Sequence, residues 1–108
     1  MRPVSFLGDS PKCLRDFPEE ARHDAGNQLD KVQRGEQPDD FKPMPVIGKG
    51  VEEIRVSEPS GAWRVIYVAR HMEAVYVLHA FHKKTQATPQ KDLEIAKRRL
   101  GQLLGGRI

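Results

Sequence analysis

A long apolar run, Ala74–Phe81, is broken only by His79 and stops abruptly at His82-Lys83-Lys84. Its opening residues, Val75, Tyr76 and Val77, predict a strand buried on both faces, near the centre of a sheet. Two further β-rich blocks precede it. Gly50–Ser57 carries Val51, Ile54 and Val56, and Trp63–Arg70 carries Val65, Ile66, Tyr67 and Val68. Glu58-Pro59-Ser60-Gly61 and His71-Met72-Glu73 are short connections, so the three strands form an antiparallel meander.

The N-terminal third has a different period. Leu14, Phe17, Ala21, Ala25, Leu29 and Val32 recur in steps of three and four, the stripe of an amphipathic helical pair. Ser10 caps the first helix with Pro11 at its first position. Pro18 interrupts the pair, and a second helix start follows, with Asp16 as cap and Glu19 at the capping-box position. Gly35 stops the second helix. Arg2–Leu7 is a short first strand, and Gly35–Lys49, with Pro38, Pro43 and Pro45, is a loop pinned by Phe41, Met44, Val46 and Ile47. Thr88 as N-cap and Pro89 open a last helix with Leu93, Ala96, Leu100 and Leu103 as its stripe, ended by Gly105-Gly106. The expected order is β-α-α-β-β-β-α, a small antiparallel sheet packed against helices in the α+β class, with residues 1–108 forming one domain.

Strand alternation sorts the side chains. Ile54 and Val56 share one face with Trp63, Val65 and Tyr67, and that face meets the helices. Glu53, Arg55 and Arg64 take the other, which is expected to be open. Arg55, Arg64, Lys83 and Lys84 would then converge on it from three strands.

Charge sharpens this picture. The chain has 18 basic and 15 acidic residues among 108, a net charge of +3. Residues 1–48 are net −2 and residues 49–108 net +5, so the strand-rich half is the cationic one. An anionic partner follows as an expectation. The single cysteine, Cys13, excludes an internal disulfide and a cysteine-based zinc cluster. No signal peptide and no span of ~20 apolar residues is visible, which points to the cytoplasm and away from membranes. Phosphate-binding loops, dinucleotide fingerprints, zinc spacings and nucleophile elbows are missing, so neither a cofactor, a metal nor a small-molecule ligand is expected. Asp39-Asp40 reads as a solvated turn.

Three stretches carry a family resemblance: VEEIRVSEPSGAWRVIYVA, then AVYVLHAFHKKTQATP, and DFKPMP after a helix ending in VQRG. Over roughly residues 2–100 the chain resembles the phage-derived, HigB-like branch of the RelE/ParE toxin superfamily, and FHKKTQ-x-TP is the most specific part. The resemblance implies a type II toxin with a RelE-like fold and endoribonuclease activity on mRNA, usually on the ribosome. It also implies neutralisation by a helix-turn-helix antitoxin of the HigA kind. Two other readings stay open: a ParE-like toxin acting on DNA gyrase without nuclease activity, and a degenerate module that binds only its antitoxin or RNA.

Cleavage of RNA by its own 2′-hydroxyl needs a base, stabilisation of charge on phosphorus, and an acid for the leaving 5′-oxygen. Arg64, in Trp63-Arg64-Val65-Ile66-Tyr67, matches the arginine that RelE-like nucleases carry in this strand, and its planar fork suits a phosphate. Lys83 and Lys84 match the family's basic pair, and crowding suits one of them to act as general base. Arg55 and Lys91 are assigned to the RNA backbone. His82, beside the lysines, is an acid or base candidate, whereas His79 reads as a core histidine with a hydrogen-bond partner. The tyrosine that RelE-type enzymes carry after the basic pair has no counterpart here, where Thr88-Pro89 stands.

Overall fold

The computed structural model describes the chain apart from residues 60, 71, 72 and 106–108 and the side chain of Arg70. The expected turn residues Ser60, His71 and Met72, and the expected stop at Gly106, lie outside the described residues. Sheet and helices follow the two hydrophobic periods. β3 (Val51–Glu58), β4 (Gly61–Arg70) and β5 (Ala74–Lys83) form the antiparallel meander. Two elements extend it. β1 (Val4–Phe6) pairs parallel to the outer edge of β5, and β2 (Phe41–Pro43) pairs antiparallel to β3. The sheet is therefore five-stranded and mixed, in the order β1-β5-β4-β3-β2. Pro43 has no N–H to donate, which confines β2 to an edge.

α1 (Ser10–Arg15) and α2 (Glu19–Gln33) break on either side of Pro18, as expected. The capping differs. Asp9 precedes α1, Asp16 ends it by donating its N–H to carbonyls of its last turn, and Pro18 precedes α2, with no side-chain cap in either helix. Gly35 does stop α2. At φ +86° its N–H meets the Val32 carbonyl while Glu36 N–H meets that of Lys31, the reciprocal pair of a Schellman motif. α3 spans Gln90–Gly105; Thr88 turns its hydroxyl to Glu53 (3.1 Å).

The core has two halves. On one side of the sheet Ile54, Val56, Val65, Tyr67, Val75 and Val77 pack on Phe17, Ala21, Ala25, Leu29 and Val32 of the helical pair. On the other, Val51, Ile66, Val68, Leu78 and Phe81 pack on Ala96 and Leu100 of α3, with Met44 and Ile47 closing the edge. The expectation of one open face is thus corrected: α3 covers part of it, because its own stripe needs an apolar partner that the first face cannot supply. What the sheet leaves for function is the remainder of that second face, beyond the start of α3.

The β3–β4 hairpin closes by pairing Glu58 with Gly61, whose φ is +140°. A Cβ at Gly61 would stand 2.6 Å from Nε2 of His82. Gly61→Ala is expected to cost about 1–3 kcal/mol through backbone strain and this clash. The check is a urea titration in which the midpoint falls; an unchanged midpoint would show that the turn relaxes freely.

Candidate functional site

Partners across a ladder share a face. The register places Arg55 opposite Arg64, and Arg64 opposite Phe81. One row away, Lys42, Glu53 and Ile66 stand side by side across β2, β3 and β4. On the other side of the Arg55–Arg64 row, Lys83 pairs with Ala62. Lys42, Arg55, Arg64 and Lys83 therefore surround the end of the sheet face that α3 does not cover, with Glu53 among them.

Arg64 is the anchor. It is only 6% exposed, and Glu53 only 1%. The Arg64 Nε lies 3.6 Å from Glu53 Oε1, an ion pair without a hydrogen bond, and finds no other acceptor among the described residues. Nη1 donates to the Trp63 carbonyl at 3.0 Å. Glu53 is held in turn by Thr88, whose hydroxyl donates to Oε2. The guanidinium is thus tethered at two points, while most of its five donors have no acceptor among the described residues. Burial pushes its pKa down, Glu53 pulls it back up, and neighbouring Arg55 pushes it down again. Such a group gains from an incoming anion, because the anion supplies charge and acceptors that the protein does not.

Lys83 feels the same cluster. Burial depresses its ammonium below the ordinary lysine range; Arg64, Arg55 and Lys42 add to this, and Glu53 opposes it. Three cations act on this one ammonium, so the arrangement suits a group of several negative oxygens.

The family model of phage derived protein Gp49-like (DUF891) matches residues 12–101. The chain belongs to that family. The Gp49-like family is associated with RelE-type toxin-like proteins. No curated protein matches the chain.

The other candidates in this Gp49-like protein divide at the end of β5. Lys84 is exposed and, with Phe81, His82, Pro89, Lys91 and Asp92, lines a separate cavity of about 350 Å³. The expected convergence is therefore of Arg55, Arg64 and Lys83, joined by Lys42; Lys84 turns away because successive residues at a strand end face opposite ways. His82 stacks on the Trp63 indole, with ring centres 4.0 Å apart. Lys91 belongs to the Lys84 cavity rather than to the Arg64 cluster. His79 is buried, and its Nε2 lies 2.7 Å from Asp92 Oδ1, the partnered core histidine expected. Tyr67 cannot replace the missing tyrosine. It is buried on the α2 side, hydrogen-bonded to Glu52, and burial with that carboxylate raises its pKa well above the normal range.

Glu53 is the site residue that the sequence alone did not single out. Its alternation placed it on the face of Arg55 and Arg64, but its partner depends on register and on where α3 begins.

Proposed function

We propose that this Gp49-like protein is the toxin of a type II toxin–antitoxin pair, of the HigB-like kind, and cleaves mRNA without a catalytic metal. The observation that carries the reading is Arg64, buried and held by Glu53 and the Trp63 carbonyl, with Arg55 opposite it and Lys83 in the next row of the same sheet face. In the proposed reaction Lys83, as free amine, takes the proton of the 2′-hydroxyl. The 2′-oxygen bonds to phosphorus, the bond from phosphorus to the 5′-oxygen breaks, and water protonates the departing oxygen. Products are a 2′,3′-cyclic phosphate and a 5′-hydroxyl. Arg64, with Arg55, binds the charge that grows on the phosphoryl oxygens.

The substrate is proposed to be mRNA on the ribosome, in the cytoplasm, and the partner a helix-turn-helix antitoxin of the HigA kind. No described helix is long and apolar enough to cross a membrane. A substrate carrying a single 2′-deoxynucleotide at the cleaved position tests the chemistry. It should resist cleavage there, whereas cutting at that bond would overturn the 2′-hydroxyl route. Translation arrest, as opposed to DNA damage, on induced expression separates this reading from a gyrase poison.

The pH profile follows from Lys83. A base works when neutral, so the rate should rise with pH while the ammonium loses its proton. It should level off above the Lys83 pKa, which burial and its cationic neighbours set below the ordinary lysine value. Lys83→Met should remove the rising limb. A limb that persists in this variant assigns the proton transfer elsewhere, with His82 the next candidate.

A further inference from the structure

A second polar cluster lies outside the basic site, on the outer side of β5 where α1 packs. Asp9 stands at the start of α1, Cys13 lies within that helix, and His79 projects from β5. One ligand atom from each of the three lies within 4.8 Å of the other two. The chain separates these residues by 4 and then 66 positions, so no spacing motif marks them.

His79 is the observation that points to a ligand. The residue is 5% exposed, and Nδ1 has no hydrogen-bond partner among the described residues. Nε2 is taken by Asp92 at 2.7 Å. A neutral imidazole that donates Nε2–H to a carboxylate carries its lone pair on Nδ1, which leaves a buried basic nitrogen with nothing to accept. Burying such a group without a partner is costly, and a metal ion satisfies it. A carboxylate on the remote nitrogen is also the usual support of a metal-bound histidine, because it fixes the tautomer and makes the ligating nitrogen more basic.

The donor set is one thiol, one imidazole and one carboxylate, which suits zinc better than calcium or magnesium. Charge fits as well. Arg99 binds the Asp9 carboxylate through Nη2 (2.6 Å) and the Leu78 carbonyl through Nη1 (2.9 Å). Carboxylates Asp9 and Asp92 and a Cys13 thiolate sum to three negative charges; Arg99 and a divalent ion sum to three positive. Cys13, His79 and Asp92 line one cavity of about 390 Å³ that gives an ion a way in. Ligands around a tetrahedral zinc stand roughly 3.5 Å apart at normal bond lengths, so side-chain rotations of about an ångström would complete the site.

We propose that Asp9, Cys13 and Nδ1 of His79 bind one zinc ion that clamps α1 to β5, with Asp92 orienting the histidine and Arg99 balancing the charge. The cluster is separate from the Arg64 site and lends it no ligand, so the ion would act on the α1–β5 contact rather than on the RNA site. Binding releases the thiol proton to solvent, and a solvent water fills the fourth position.

The experiment uses the untagged full-length chain, stripped of metal and titrated with zinc or cobalt(II) alone. Equilibrium dialysis should give one equivalent per chain, zinc should raise the unfolding temperature, and cobalt should show a thiolate-to-metal charge-transfer band. Cys13→Ser should lose the band and the stoichiometric zinc. His23→Ala, which removes an exposed histidine 4.0 Å from Glu19, should change nothing. The cobalt band is read on the wild-type chain, so the result stands even if Cys13→Ser folds poorly. Wild-type chain that binds no metal or binds cobalt without the thiolate band, or a His23→Ala variant that loses the zinc, would overturn the proposal.

Discussion

Arg64→Ala is expected to lower the rate of RNA cleavage by the folded protein roughly 10²–10³-fold, the range found when a preorganised charge-stabilising donor is removed, about 2.7–4 kcal/mol of barrier. The expectation rests on how Arg64 is held: buried, tethered at two points, and left with donors that find no acceptor among the described residues. Removing it also strands the Glu53 carboxylate, so the alanine variant should be less stable as well as less active. Arg64→Lys separates the two effects. It keeps a positive charge near Glu53 but loses the planar fork that matches two phosphate oxygens. Cleavage should stay strongly reduced while the urea midpoint recovers most of its loss. A lysine variant with near wild-type cleavage would show that Arg64 serves only as a charge.

Glu53→Ala should destabilise the fold by roughly 3–5 kcal/mol, because it leaves the Arg64 guanidinium buried without its counter-charge. Glu53 is nearly inaccessible, and Thr88 also loses its acceptor. Denaturant titration reads this directly; a loss under about 1 kcal/mol would mean that water or a rotated Arg64 repairs the gap. Glu53→Gln keeps the shape and isolates the charge. Glu53 is the group that raises the Lys83 pKa against three cations. Its neutralisation should lower that pKa further and move the rising limb of the pH–rate profile toward acid.

Much of the fold was legible because local and global preferences agree. The Leu14–Val32 stripe and the three β-rich blocks each admit one arrangement, and the observed elements follow them. β2 was hidden because Phe41-Lys42-Pro43 is too short and too proline-rich to carry a pattern. The parallel pairing of β1 joins residues about 70 positions apart, a contact that no local signal encodes. The docking of α3 was the consequential gap. Its stripe predicted a helix but not the sheet face it would cover, and that face decides the burial of Arg64 and Glu53. Alternation placed Glu53, Arg55 and Arg64 together, since period two is robust within a strand. It also divides Lys83 from Lys84, which the reading of the pair as one unit overlooked. The clustering of Asp9, Cys13 and His79 depends wholly on α1 lying against β5.

The central claim is that Arg64, Arg55 and Lys83 act on one RNA phosphate. Primer extension across cellular mRNAs after induced expression tests it, with wild-type and Arg64→Lys chains at equal folded abundance. Discrete new mRNA ends with the wild-type chain, absent with the variant, are the predicted result. Growth arrest with intact mRNA, or the same ends at the same yield from Arg64→Lys, would contradict it.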